Sequence, residues 1–214
     1  MDIFEIFRNA ADPVKAAPMS AYMRNQFSYL GISTPERKKL SQEFLKTLKQ
    51  NDIDWAFVFS CWEMPEREFQ YLAVEYLTRQ KAKLTDSDIP NLRILIITKS
   101  WWDTVDGLDV IVGDIALRHP EVSQILLTWS TDENIWLRRA AIDHQLGRRE
   151  KTDIRLLEKI IINNLGQKEF FINKAIGWSL REYSKTNPEW VREFIERHRE
   201  ALSSLSIREA SKYI

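Results

Sequence analysis

The 214-residue sequence has little of what many enzyme classes are built from. Its single cysteine, Cys61, excludes an internal disulfide and a cysteine-based zinc site. Three histidines, His119, His144 and His198, stand at no metal-like spacing, so no metal and no other cofactor is expected. Six glycines and seven prolines are too few turn-formers for a barrel or sandwich of many short strands. Net charge is also missing: 31 basic residues balance 31 acidic ones, which excludes a histone-like chain and an acidic disordered one. The longest apolar runs, such as Ile94–Ile97, are far too short to span a bilayer. The opening residues, with Asp2 and Glu5 in a short amphipathic pattern, read as neither a signal nor a transit peptide. A soluble, cytoplasmic, monomeric protein without a membrane partner is therefore expected. There is no glycine-rich phosphate loop, no G-x-S-x-G elbow and no H-E-x-x-H. Cys61 sits in the apolar run Phe57–Trp62, where a thiol reads as structural rather than nucleophilic.

What is present is tryptophan, eight residues of it, and helical periodicity almost everywhere. Thr34, Pro35 and Glu36 open a helix as cap, first-turn proline and dipole-compensating acid, and Leu40, Phe44, Leu45 and Leu48 carry it to about Gln50. Similar starts follow at Asp54, at Pro65-Glu66 and at Ile89-Pro90. Further helices are expected near 103–118, 121–130, 134–147, 153–164, 169–186, 188–201 and 206–213, with two more near 2–9 and 13–29. No strand pair stands out, and loops are short. Short helices in series predict one all-α domain over 1–214: an α-solenoid of about six HEAT- or armadillo-like pairs of roughly 35–40 residues. Such a superhelix presents a concave face to an extended partner.

Three places attract chemistry. Trp102 and Asp106 are four residues apart and share a helix face, so an aromatic ring and a carboxylate together face whatever binds there. That pair stabilises developing positive charge, although a core ring beside a helix-start charge gives the same pattern. The neighbouring Trp101 reads as core. Second, Lys174, Trp178, Arg181 and Lys185 form one stripe at i, i+4, i+7 and i+11. Cations around a flat aromatic suit a phosphate backbone, and a merely solvated face has no need of the tryptophan. Third, Arg138 and Arg139 cannot face the same way on a helix, and one of them is placed to pair with Asp143. The zero net charge hides an asymmetry: residues 1–50 and 151–214 each carry +3, whereas 51–100 carry −2 and 101–150 carry −4.

The residues also resemble a known family. The runs Ala17–Asn25 (APMSAYMRN), Leu30–Ile32, Pro35–Arg37 and Arg67–Gln70 are similar to the AlkD family of DNA alkylation repair glycosylases. So are Thr98–Asp106 (TKSWWDTVD), Gly113-Asp114, Asn134–Ile142, Lys168–Trp178, Leu180–Tyr183 and Lys185–Pro188, in that order over nearly the whole chain. The resemblance implies a HEAT-like solenoid that removes cationic alkylated purines, such as 3-methyladenine and 7-methylguanine, from double-stranded DNA. It implies that the lesion is held by its backbone rather than taken into a deep pocket, unlike the usual flipped base. By motif, Asp106 corresponds to the catalytic carboxylate and Trp102 and Trp178 to the active-site tryptophans. Arg139 and Arg181, and Tyr22 as well, correspond to backbone contacts. Lys174 and Lys185 join them through the stripe. Ser33 stands where some relatives carry a longer polar residue that reaches DNA.

The implied chemistry follows from charge. N-alkylation makes the purine a leaving group that needs no proton, and bond breaking moves positive charge onto the deoxyribose. Asp106 would stabilise that sugar, with Trp102 and Trp178 packed on the backbone. One carboxylate then suffices where glycoside hydrolysis ordinarily uses two. Without a lysine nucleophile the product is an abasic site in an uncut strand. Two other readings share the fold: a non-catalytic relative that binds DNA structure, and a HEAT-repeat protein scaffold.

Overall fold

A computed structural model describes residues 2–48 and 52–214. Among them run thirteen α-helices: Ile3–Asn9 (α1), Pro13–Tyr22 (α2), Thr34–Leu48 (α3), Trp55–Glu63 (α4), Arg67–Arg79 (α5), Ile89–Ile97 (α6), Trp102–Arg118 (α7), Val122–Trp129 (α8), Ile135–Asp143 (α9), Ile154–Ile162 (α10), Phe170–Ser184 (α11), Pro188–Arg197 (α12) and Ser204–Ala210 (α13). The described residues contain no strand beyond an isolated bridge between Ser28 and Glu66. None of these helices is long and apolar enough to cross a membrane.

The helix starts obey the capping signals. Asp54, Asn134, Asp153 and Asn187 accept N–H groups of the first turns of α4, α9, α10 and α12 at 2.8, 2.9, 3.0 and 3.1 Å. Helix α3 opens one position early, since Arg37 N–H donates to the Ser33 carbonyl at 2.8 Å. Its expected end near Gln50 lies outside the described residues. Several expected helices are shorter than their periodicity suggested, among them α12, which ends at Arg197 rather than near 201. Helix α2 stops at Tyr22 because Arg24 and Asn25 both turn left-handed, at φ 55°. Helix α9 stops at Asp143 in the turn that leads to Gly147, at φ 78°.

The chain divides into two compact units, residues 1–83 and 84–214. The first is built on α5, which packs against α3 and α4. Phe4 and Phe7 stack on Phe69 at 5.3 and 5.6 Å. Glu68, fully buried, accepts the N–H groups of Leu30, Gly31 and Ile32 at 3.0, 2.9 and 3.1 Å and so ties the α2–α3 loop to α5. Cys61 is buried too, and desolvation pushes its thiol far above the usual range, as befits a structural residue.

In the second unit α7, α9, α11 and α13 pack in succession as one layer, and α6, α8, α10 and α12 pack against them as another. Two layers of alternating helices are what an α–α repeat requires. The stacking is close enough to need glycine. A Cβ on Gly113 would come within 2.0 Å of the His144 carbonyl oxygen, and one on Gly177 within 2.6 Å of Glu209 Cβ. These contacts set the spacing of α7 against the end of α9, and of α11 against α13.

Candidate active site

The stacked helices bring residues from three successive turns of the repeat together. Helix α7 starts after a left-handed Lys99 (φ 49°) and an extended Trp101. The Trp101 ring, expected in the core, is half-buried and packs on Trp136 and Phe171 at 5.7 and 5.1 Å. Trp102 begins the helix half-buried, and Asp106 follows one turn later.

Asp106 is held by Arg139 of α9. The guanidinium donates Nε to Oδ1 at 2.7 Å and Nη2 to Oδ2 at 2.9 Å, a two-pronged pair that fixes the carboxylate plane. Its Nη1 donates to the Phe171 carbonyl of α11 at 2.8 Å. The Arg139 side chain is 2% exposed, whereas that of Asp106 keeps 27% of its surface. One face of the carboxylate therefore looks outward while the other is clamped. Burial raises the pKa of Asp106, and the Arg139 hydrogen bonds and charge oppose that rise. Arg139, of which a phosphate contact is expected, has its guanidinium on Asp106 and the Phe171 carbonyl. It is also the arginine that approaches Asp143, at 3.6 Å, which the sequence left open between 138 and 139.

Two further carboxyls crowd this pair. Asp109, one turn along α7, and Asp143, one turn along α9, are each 1% exposed, and the carboxylate oxygens of Asp106, Asp109 and Asp143 lie within 4.8 Å of one another. The positive charge between them is supplied by Arg139. Burial, with Asp143 and Asp106 nearby, raises Asp109 well above the carboxylate range. Asp143 is pushed up to about 7 by burial against the pull of Arg139.

Trp178 of α11 closes the cluster. Its ring centroid lies 5.4 Å from the Arg139 guanidinium, 5.4 Å from Lys174 Nζ and 5.8 Å from the Arg181 guanidinium. Lys174 and Arg181 of the stripe thus meet at the tryptophan, and Arg139 joins it to Asp106. Lys174 and Arg181 both bind Glu209 of α13, at 2.8 and 2.9 Å, and Lys212 adds a third cation at 2.7 Å. Hydrogen bonds from Lys174 and Lys212 lower Glu209 to about 2. Lys185, at the end of the stripe, reaches Glu182 at 2.5 Å and lies 5.2 Å from the Tyr213 ring. Tyr22 belongs to the first unit, where it ends α2 with 72% of its surface exposed.

The sequence reading missed Asp109, Asp143 as a partner of Asp106, and Glu209. The first two carried a signal in their i+3 and i+4 spacing from Asp106 and Arg139. A different group could take a divalent ion: His119 Nδ1 lies 3.6 Å from Asp86 and 3.5 Å from Glu121, a surface trio invisible in the histidine spacing.

Among curated proteins no relative matches the chain. A solved structure, "Predicted DNA alkylation repair enzyme from Enterococcus faecalis", is 38% identical, with 95% of this chain and 96% of that chain covered and a TM-score of 0.89. The sequence matches the family described as DNA alkylation repair enzyme over residues 3–214, a span that takes in both units and every residue of the Asp106 cluster. With the fold, the near-complete coverage and the sequence match in agreement, the chain belongs to the DNA alkylation repair enzyme family.

Proposed function

We propose that the protein is a monofunctional alkylpurine DNA glycosylase, which hydrolyses the N-glycosidic bond of cationic purines such as 3-methyladenine and 7-methylguanine in duplex DNA. The observation that carries this reading is Asp106: a largely desolvated carboxylate held by the two-pronged Arg139 guanidinium, which itself lies 5.4 Å from the electron-rich Trp178 ring. A fixed negative charge in a poorly solvated site acts on a developing cation without reorganising during the reaction.

In the proposed reaction the C1′–N bond breaks with its electron pair going to the purine, which leaves neutral. Positive charge passes to the sugar, where Asp106 stabilises it, and Trp102 and Trp178 pack along the backbone. A water positioned by Asp106 adds to C1′ and gives up its proton, leaving an abasic site with the strand intact. Arg139 serves by orienting Asp106. Lys174, Arg181, Lys185 and Tyr22 supply phosphate contacts. Lys174, Arg181 and Lys212 around the single Glu209 leave a local surplus of two positive charges there. No cofactor enters the scheme, and the protein acts as a monomer in the cytoplasm.

The test is base release from methylated duplexes, followed by chromatography. Release of 7-methylguanine and 3-methyladenine with uracil and hypoxanthine untouched is the expected result. These neutral bases need a proton that one carboxylate and two tryptophans do not provide. Efficient uracil release would overturn the mechanism. Duplex binding without release of either cationic purine would make the protein a DNA-structure binder.

A further inference from the structure

The three carboxyls beneath the site have only one cation between them. Asp106 takes Nε and Nη2 of Arg139 in two hydrogen bonds, and Asp143 is left at 3.6 Å, near enough for its charge to act but too far for a hydrogen bond. Neither oxygen of Asp109 and neither oxygen of Asp143 has a hydrogen-bond partner in this arrangement. Both residues are 1% exposed. Two buried carboxylates so placed cannot both carry charge, because each would lack water, hydrogen bonds and an undivided counter-ion. The aspartic-protease dyad shows what such proximity does: the two groups titrate as a pair.

We propose that Asp109 and Asp143 are positioning residues for the glycosylase reaction, a buried acid pair whose first ionisation, at Asp143, neutralises Arg139 and leaves the Asp106 charge free to act on the substrate. This rests on the function proposed above. With both acids protonated, Asp106 and Arg139 cancel and the cluster is neutral. Once Asp143 has ionised, with Asp109 still holding its proton, the cluster carries one net negative charge beneath the sugar. A cationic transition state is favoured by that charge. The environment of Asp143 supports an ionisation near neutrality: burial raises it to about 7 against Arg139, which lies 3.6 Å away, whereas burial raises Asp109 with Asp143 and Asp106 adding to the rise.

The surrounding elements leave these groups in control. From α7, Asp106 and Asp109 face Asp143, and Asp103 acts on Asp106. Helix α8 has no ionisable side chain. On α6, Arg93 lies 4.0 Å from Asp132, and on α10, Glu158 is bound by Arg197. On α11, Lys174 and Arg181 are held by Glu209. His144, next in sequence, is driven down to about 3 by burial and by Arg148, and stays neutral.

The experiment has two arms. Single-turnover release of 7-methylguanine is measured from about pH 5.5 to 9 for wild type, Asp143→Asn and Asp109→Asn, with the spontaneous rate subtracted. Carbon-13 carboxyl shifts of aspartate-labelled protein, free of DNA, are titrated over the same range. The wild-type rate should rise about tenfold with a midpoint near neutrality, the rate equivalent of one pKa unit of interaction. Asp143→Asn should lose that limb and stay at its lower plateau. Asp109→Asn is isoelectric with the protonated Asp109 and should keep the limb with its midpoint nearly unmoved. In the titration, one buried aspartate should turn over between roughly pH 6 and 8 and vanish in Asp143→Asn. A purely structural role would lower melting temperature and leave the shape of the pH profile unchanged. The proposal is overturned if no wild-type carboxyl titrates in that window, or if Asp143→Asn keeps the limb. The carboxyl titration decides the matter in wild type alone if a variant does not fold. It also separates failure of the acid pair from failure of the glycosylase reading, since it requires no catalysis.

Discussion

Replacing Arg139 with alanine tests the cluster as a physical unit. The substitution removes two hydrogen bonds to Asp106 and one to the Phe171 carbonyl, and leaves Asp106, Asp109 and Asp143 without the cation between them. Removing one partner of a buried ion pair costs about 3–5 kcal/mol, because the remaining charge stays uncompensated. For a chain of this size about 1 kcal/mol shifts the melting temperature by roughly 2–4 °C, so a fall of roughly 6–20 °C is expected at pH 8. The penalty must shrink in acid. The folded-state pKa values of these carboxyls already lie above their unfolded values, and losing the arginine raises them further. A raised carboxyl destabilises the fold increasingly as pH climbs from its unfolded pKa, near 3.9, toward its folded one, and not at all below both. Melting measured at pH 5 and pH 8 should therefore show the larger loss at pH 8. Arg139→Lys, which keeps the charge but loses the planar fork, should fall between. A melting temperature within about 2 °C of wild type at pH 8, or an equal loss at both pH values, would refute the account of Arg139 as the cluster's counter-ion.

Three other substitutions follow from the same geometry. Asp106→Asn should lower 7-methylguanine release by folded protein at least about tenfold, or about 1.4 kcal/mol of transition-state stabilisation; full activity by chromatographic assay would remove Asp106 from the chemistry. Gly113→Ala should destabilise the α7–α9 contact by about 1–3 kcal/mol in denaturant unfolding, because the new Cβ falls 2.0 Å from a backbone oxygen, and wild-type stability would contradict that close approach. Glu209→Gln should lower the melting temperature at neutral pH, with the deficit disappearing as pH falls from about 4.5 toward 2, since this carboxylate's folded pKa is depressed and its stabilisation is lost on protonation. The same variant should bind duplex DNA more tightly at low salt, having lost one negative charge among three cations.

The helices were legible because their signals are local. Apolar spacing, caps at Asp54, Asn134, Asp153 and Asn187, and first-turn prolines depend on residues within four positions of one another. The reading failed where local cues were silent. Arg24 and Asn25 adopt φ 55° although neither is glycine, so nothing in the pattern marked the end of α2 at Tyr22. The stripe was legible for the same reason as the helices: Lys174, Trp178 and Arg181 lie on one face, and one ring gathers both cations. Which carboxylate those cations would meet depended on α13, beyond the reach of any helical spacing.

The longer-range partners nevertheless follow a period. Arg139 binds Asp106 across 33 residues, and Lys174 binds Glu209 across 35. Arg148 donates to the Gly113 carbonyl across 35, Asn164 to the Ser130 carbonyl across 34, and Ser206 to the Asn173 carbonyl across 33. In a stack of helix pairs, equivalent positions on neighbouring helices of one layer are separated by one repeat, so polar groups that meet across the stack recur at the repeat length. The pattern predicted units of roughly 35–40 residues; the bonds in the second unit, at 33 to 35, place the period at or just below the lower end. Counting one such period from Asp106 arrives at Arg139, and one from Lys174 arrives at Glu209. The information for both ion pairs was therefore in the chain, at a spacing set by the stacking of helices rather than by the helix turn.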